Sequence, residues 1–358
     1  MDDRSFVTAQ DFILDVKRFW TTEIYPTLKA DFENRAASLE NAPNTTEEIE
    51  LLIGGTTLHR FYAWLERHLQ RLKYSGRYGL YPYHDGRRGE FMASVDGIEN
   101  DADRLALDPN LTLPDYYRKV DIHQHPGGVW SDEIAGFVYE RGARSTTPLM
   151  GKAHKDLHQR FTDFIASKGT TPSHILDMGC GFGKSTRPFF ETFKDAHVEA
   201  IDLSAPCLTV GAHEVGSRAE NSLRYRQMDA LKTDYGDSTF DLVTSTMLVH
   251  ELPPAEIDQL FGETVRILAP GGIMAHLDFH HLPNAFARFI HDGHARRNNE
   301  PFMSSWADID PIALMTEKGL INLQIIPFQE AEGVDPENNP YWRFPWTIVY
   351  GEKPSAQP

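Results

Sequence analysis

From His174 onward, short runs rich in β-branched and apolar residues alternate with segments of helix length: HILDMG, HVEAIDLS, LRYRQMDA, FDLVTSTM and GGIMAHLDF. Strands joined through intervening helices run parallel, because a crossover rather than a tight turn connects them. The pattern predicts a doubly wound, Rossmann-like α/β sheet. Two further strand candidates, LINLQIIPF and WTIVYGEK, follow with only a short, proline-containing connection between them, which predicts an antiparallel pair. The expectation is a seven-stranded sheet whose last strand is antiparallel.

The N-terminal third reads differently. Phe12, Val16, Phe19, Trp20, Ile24 and Leu28 recur at helical spacing, as do Leu58, Phe61, Tyr62, Leu65, Leu69 and Leu72. Such stripes predict a helical core that also serves as a cap over a neighbouring site or as a homodimer seam. Tyr74 to Pro148 is rich in Gly, Pro and Tyr, and a further amphipathic helix carries Leu157, Phe161, Phe164 and Ile165. With 358 residues, two units are expected: a mainly helical cap over 1–150 and an α/β domain over 151–358.

The formal charge of -17 disfavours nucleic acid and anionic membranes, which basic surfaces attract. The start MDDRSF lacks the basic and apolar regions of a signal peptide, no apolar run is long enough to span a bilayer, and two cysteines make no disulfide framework. A soluble cytoplasmic protein is expected.

The segment Asp177 to Thr186, DMGCGFGKST, places three glycines at alternate positions after the first strand. A nucleotide-hydrolase phosphate loop needs its first Gly where Met178 stands, so that frame fails. A dinucleotide fingerprint needs Gly where Lys184 stands, and Asp177 would repel a pyrophosphate. A ligand with a cationic centre, an amino group and no phosphate accepts every residue. S-adenosylmethionine is that ligand. Here the sequence resembles the class I S-adenosylmethionine-dependent methyltransferases, whose first motif, Asp/Glu-x-Gly-x-Gly-x-Gly, is matched by Asp177, Gly179, Gly181 and Gly183. FDLVTSTMLVHELP and RILAPGGIMA resemble later motifs of the same family.

The resemblance implies a cofactor site of Asp177, the three glycines, Asp202 on the ribose hydroxyls and Asp229 at the adenine amino group, with Leu203, Ala230 and Thr246 beside them. It implies methyl transfer to a small organic molecule; the histidines expected at the rim favour an oxygen or carbon acceptor over sulfur or nitrogen. A carbon or oxygen acceptor calls for a base, so His250 and Glu251 after the fourth strand and His280 and His281 after the fifth are candidate catalytic residues. The segment from His276 to Phe302 is a candidate lid or acceptor wall. In VDIHQHPGG and its neighbourhood, His123, Tyr117 and Tyr139 are candidate substrate contacts, with Tyr116 also at hand. Two histidines one residue apart would share a face of a strand, so Asp121, His123 and His125 offer an alternative local metal site. The competing functional readings are a cofactor-binding sensor or partner subunit without turnover, and a metal-dependent hydrolase built on those three residues.

Overall fold

In the segment His174–Met178 four consecutive side chains after the first are buried, as befits a strand covered on both faces. The computed structural model describes residues 2–98, 101–143, 151–216, 222–329 and 340–355, with side chains described outside 151–156. The expected boundary between units, at residue 150, falls in 144–150 and lies outside the described residues.

The strands are β1 (Leu105–Ala106), β2 (His174–Met178), β3 (His197–Asp202), β4 (Leu223–Gln227), β5 (Phe240–Thr246), β6 (Leu268–Phe279), β7 (Ile321–Pro327) and β8 (Trp346–Glu352). They form one sheet in the order β1-β4-β3-β2-β5-β6-β8-β7. β1 through β6 pair in parallel, while β8 is antiparallel to both β6 and β7. The sheet therefore has eight strands, not seven. The extra one comes from the N-terminal third, where Leu105 pairs with Tyr225. Two residues are too few to set a period, and only a partner far along the chain makes them a strand.

The helices that matter here are α1 (Asp3–Phe19), α2 (Tyr25–Ala36), α3 (Thr57–Ser75), α4 (Ala135–Ala143), α5 (Gly151–Ser167), α6 (Thr186–Thr192), α7 (Ala205–Val215), α8 (Pro254–Ile267) and α9 (Ala285–Asn298). Side-chain caps fix several starts: Asp2 accepts from the Ser5 amide, Thr56 from His59 and Asn284 from Ala287. No helix among the described residues is long and apolar enough to cross a membrane.

Apolar cores lie on both faces of the sheet. A third joins the N-terminal helices to α9 through Trp20, Ile24, Leu28, Tyr62, Leu65, Leu69, Phe286, Phe289 and Trp342. The inward stripe differs from the one hydropathy predicts. Phe12, Phe19, Phe61 and Leu72 are exposed, while the charged residues Lys17, Glu66 and Lys73 are buried beside Ile13, Trp20, Tyr62 and Leu69. A helix face that turns charges inward and phenylalanines outward breaks the pattern of an ordinary core, and such breaks concentrate at functional sites.

Candidate functional site

The sheet reverses its strand order at β2, with β3 on one side and β5 on the other. In open α/β sheets the crevice beyond the carboxyl ends of the strands at this point is the ligand site. The loop after β2 has positive φ at Gly179 (65°), Gly181 (54°) and Gly183 (79°). At Gly183 both the backbone and the space demand glycine, because a Cβ would collide with the Tyr225 hydroxyl. Gly183→Ala is expected to destabilise the protein by about 2–4 kcal/mol, combining a left-handed backbone with overpacking. A denaturant midpoint unchanged from wild type would contradict this.

Two cavities open at the rim. The first, about 840 Å³ including its mouth, is lined by Gly179, Gly181, Asp202, Leu203, Met228, Asp229, Ala230, Leu231, Met247, Leu248, Glu251, Tyr116, Tyr117, His123 and Tyr139, among others. Asp202 closes β3 and holds the loop: its carboxylate accepts from the Gly181 amide at 2.8 Å and from Ser204 at 2.7 Å. Burial raises the Asp202 pKa against the pull of these amides. Asp229 lies just beyond β4 and accepts from the Leu231 amide at 2.9 Å. Asp177 is fully buried at the end of β2, and its Oδ2 accepts from the Ser185 and Thr186 hydroxyls at 2.7 and 2.6 Å. Its Oδ1 has no partner among the described residues, and burial pushes its pKa up to about 6.

Among the described residues this lining supplies carboxylates and no Lys or Arg. It suits a cationic adenosine derivative without phosphates, because a pyrophosphate would meet like charge from Asp202 and Asp229. Asp177 is not among the residues that line either cavity. The residues present fit S-adenosylmethionine.

The second cavity, about 1250 Å³ including its mouth, lies between the rim and the N-terminal helices. Thr246, Met247, His250 and Phe279 line it from the sheet. Lys17, Trp20, Glu66, Leu69, Gln70 and Tyr74 line it from α1, α3 and the turn between α1 and α2, and Trp342, Phe344 and Trp346 add an aromatic wall. Thr246, expected at the cofactor, lines this cavity instead. The chain leaves the strand at Met247 with φ 60°, and Met247 borders both spaces.

His123 and Tyr139 also line both cavities. Their rings lie nearly parallel with centroids 6.3 Å apart. His123 sits in a short turn, not a strand, with φ 56° followed by φ 57° at Gln124. Left-handed backbone at non-glycine residues is held only where the surroundings insist on it. Here Gln70 donates to the His123 carbonyl at 3.0 Å, Gln124 to the Arg297 carbonyl at 2.8 Å and Asn299 to the Asp121 carbonyl at 3.2 Å. The turn also separates the residues of the alternative metal site. His125 points into the core with its ring 5.2 Å from Tyr74, its pKa lowered by burial to about 4, while Asp121 is exposed. Among the described residues no three His, Cys, Asp or Glu side chains are grouped to hold a metal.

Carboxylates and imidazoles alternate across the cavities. Asp278, at the end of β6, accepts from His250 Nδ1 at 2.6 Å and from the Val249 amide at 2.7 Å. Glu251 Oε1 stands 3.5 Å from His250 Nε2 and 3.4 Å from His123 Nε2. Glu300 accepts from His123 Nδ1 at 3.0 Å and lies 3.7 Å from His294, which bonds Glu66 at 2.6 Å. Glu66 in turn holds Arg297. Burial disfavours the charged His250 ring, but the Asp278 carboxylate outweighs it and, with Glu251, holds its pKa well above the usual imidazole value. Burial likewise opposes charge on His123, and Glu300 reverses the balance to raise it.

His280 and His281, expected to face the acceptor, line neither cavity. His280 Nε2 is tied to the Ile309 carbonyl at 2.9 Å with its ring against Trp306, and the His281 backbone N–H donates to the Thr347 hydroxyl at 2.8 Å. Sequence reasoning missed Asp278, Glu300, His294, Glu66 and Lys17. The charges inside the apolar stripes of α1 and α3 were the available signal, and His294 and Glu300 fall in the segment expected to form an acceptor wall.

A methyltransferase domain family model matches residues 175–272. The chain is 30% identical over 157 residues to an uncharacterized methyltransferase of Synechocystis, covering 43% of this chain and 68% of that one. It is 32% identical over 109 residues to the demethylmenaquinone methyltransferase of Thermobifida fusca, covering 30% of this chain and 44% of the relative. It is also 32% identical over 114 residues to phosphoethanolamine N-methyltransferase 2 of Caenorhabditis elegans, covering 32% of this chain and 24% of the relative. The chain thus spans less than half the length of these last two relatives. With the glycine loop, the strand-end carboxylates and the sheet order in place, the chain belongs to the class I S-adenosylmethionine-dependent methyltransferase family.

Proposed function

We propose that the protein transfers a methyl group from S-adenosylmethionine to an oxygen or carbon atom of a small organic acceptor. The observation that carries this reading is the junction of two cavities at His123, Tyr139 and Met247: one acidic and, among the described residues, free of Lys and Arg, the other aromatic and rich in histidine. When bound, S-adenosylmethionine supplies an electrophilic methyl on a sulfonium. Asp202, Asp229 and Asp177 bind and orient the cofactor. The helices over the second cavity exclude water, and its aromatic wall positions the acceptor. His250 Nε2, the ring atom left after Nδ1 is committed to Asp278, takes the acceptor's proton, and the Asp278 and Glu251 carboxylates hold the imidazolium charge that results.

The pH dependence tests this assignment. A base works only when unprotonated, and the Asp278 carboxylate keeps the His250 proton on to higher pH than usual. With S-adenosylmethionine and a turned-over acceptor, kcat/KM is expected to rise with pH through and beyond neutrality. The rising limb disappears in His250→Ala. A profile flat from pH 6 to 9 in the wild type removes His250 as the base.

A further inference from the structure

A base that takes one proton per turnover has to lose it again, and His250 is poorly placed to do so alone. Its side chain is only 2% exposed, and Nδ1 is committed to the fully buried Asp278. Exposure rises stepwise along the row that starts at its Nε2. Glu251 is 16% exposed, with Oε1 3.5 Å from His250 Nε2, and His123 is 25% exposed, with Nε2 3.4 Å from the same oxygen. Both gaps exceed a well-formed N–H···O bond of about 2.7–3.2 Å, so neither Nε2 is locked to Glu251. Contacts of this kind are often long in a ligand-free site and tighten in the complex.

His123 is held at the end of this row against backbone preference. Its own φ of 56° and that of Gln124, 57°, are left-handed, a conformation that costs about 1–2 kcal/mol per residue. Side-chain bonds from Gln70, Gln124 and Asn299 to distant carbonyls hold the turn, and strain that is fastened so firmly clusters at working sites. Glu300, 3% exposed, accepts from His123 Nδ1 at 3.0 Å, which leaves Nε2 as the ring atom open to a proton. Burial opposes charge on this ring, but Glu300 and then Glu251 outweigh it, so it takes a proton more readily than a free imidazole. Tyr139 from α4 stacks beside the ring, and His294 stands 3.7 Å beyond Glu300. His123 and Glu300 both lie outside the matched methyltransferase domain, residues 175–272, whereas His250 and Glu251 lie inside it.

We propose that Glu251 and His123 form the route by which the proton taken up by His250 leaves the site, with Glu300 as the positioning residue that holds the His123 ring in line. The proposal rests on the methyltransferase reading, in which His250 is the base. The His250 Nε2–H bond breaks and the proton passes to Glu251 Oε1. It then passes to His123 Nε2, and from there to water. His250 returns to the neutral ring with its Nδ1–H on Asp278, Glu251 returns to the carboxylate, and one proton leaves for each methyl group transferred. Only N–H and O–H bonds change along the row. A relay of this kind keeps the base usable while the acceptor fills the second cavity and excludes water from it.

Exchange of the His250 ring protons with water tests this without any acceptor. It is read by saturation-transfer NMR on the full chain labelled with nitrogen-15 at histidine, with and without S-adenosylhomocysteine. In His123→Asn, which keeps a side chain that tolerates the left-handed backbone, exchange is expected to slow by about 10²-fold, the low end of what a positioned acid or base contributes to a proton transfer. Added imidazole should restore it. Glu251→Gln should slow it as much, and Glu300→Gln, which keeps the shape and removes the charge, by less. Rates equal to wild type in both His123→Asn and Glu251→Gln overturn the proposal. So does a slowing in His123→Asn that imidazole leaves in place, because the residue is then structural. Calorimetry on the same samples separates the two readings: failure of S-adenosylhomocysteine to bind, with the relay intact, counts against the methyltransferase reading and leaves the proton route standing.

Discussion

Asp202→Ala is expected to weaken S-adenosylhomocysteine binding by a factor of about 10²–10⁴, the loss of two hydrogen bonds from ribose hydroxyls to a carboxylate at about 1.5–3 kcal/mol each. The effect is large because the same carboxylate also holds the loop, accepting from the Gly181 and Ser204 amides. Calorimetry measures it directly, and affinity within threefold of wild type would remove Asp202 from the cofactor site. A pH series adds a second check. With its pKa raised to about 6 by burial, Asp177 gains a proton as pH falls through that value, and the attraction proposed here for a cationic amino group is lost. Affinity should therefore fall below about pH 6 and level off above it. Asp177→Asn should flatten the curve.

His250→Ala should lower kcat by about 10²–10⁴, the usual range for a positioned acid or base, with little change in S-adenosylhomocysteine affinity. Stability falls as well. Asp278 is fully buried, and loss of the ring that pairs with it leaves a carboxylate without a counter-charge, at a cost of about 3–5 kcal/mol. Asp278→Asn separates the two effects. It keeps the shape, removes the charge and lets the His250 pKa drop, so the rising limb of kcat/KM should move to lower pH. Stopped-time assays across pH on the three proteins read both parameters. A variant that loses cofactor affinity and turnover in equal measure would mark His250 as structural.

The strand-helix alternation from His174 and the carboxylate-edged glycine loop are local in sequence, and they were sufficient to anticipate the doubly wound sheet and its antiparallel end. The same is true of the carboxylates Asp177, Asp202 and Asp229: each ends or closely follows a parallel strand, and parallel strands deliver their ends to one rim. Glu251 and His250 were legible for the same reason, since they follow the strand next to β2.

Other features depended on contacts between residues far apart in the chain. Hydropathy turned Phe12 and Phe61 inward, yet Lys17, Glu66 and Lys73 occupy the inner faces of their helices, Lys17 and Glu66 at the wall of the second cavity. His123 gained its position from a left-handed turn fastened by Gln70 and by Gln124 on Arg297, which no period of 2 or 3.6 residues encodes. His280 and His281 occupied the expected loop but line neither cavity: a carbonyl and a tryptophan hold the first ring, and the Thr347 hydroxyl holds the backbone of the second. Sequence by itself determined where the strands end and hence where the ligand crevice opens. The tertiary structure alone decided which imidazoles, carboxylates and lysines face that crevice, because side-chain direction follows from packing between distant segments and not from local spacing.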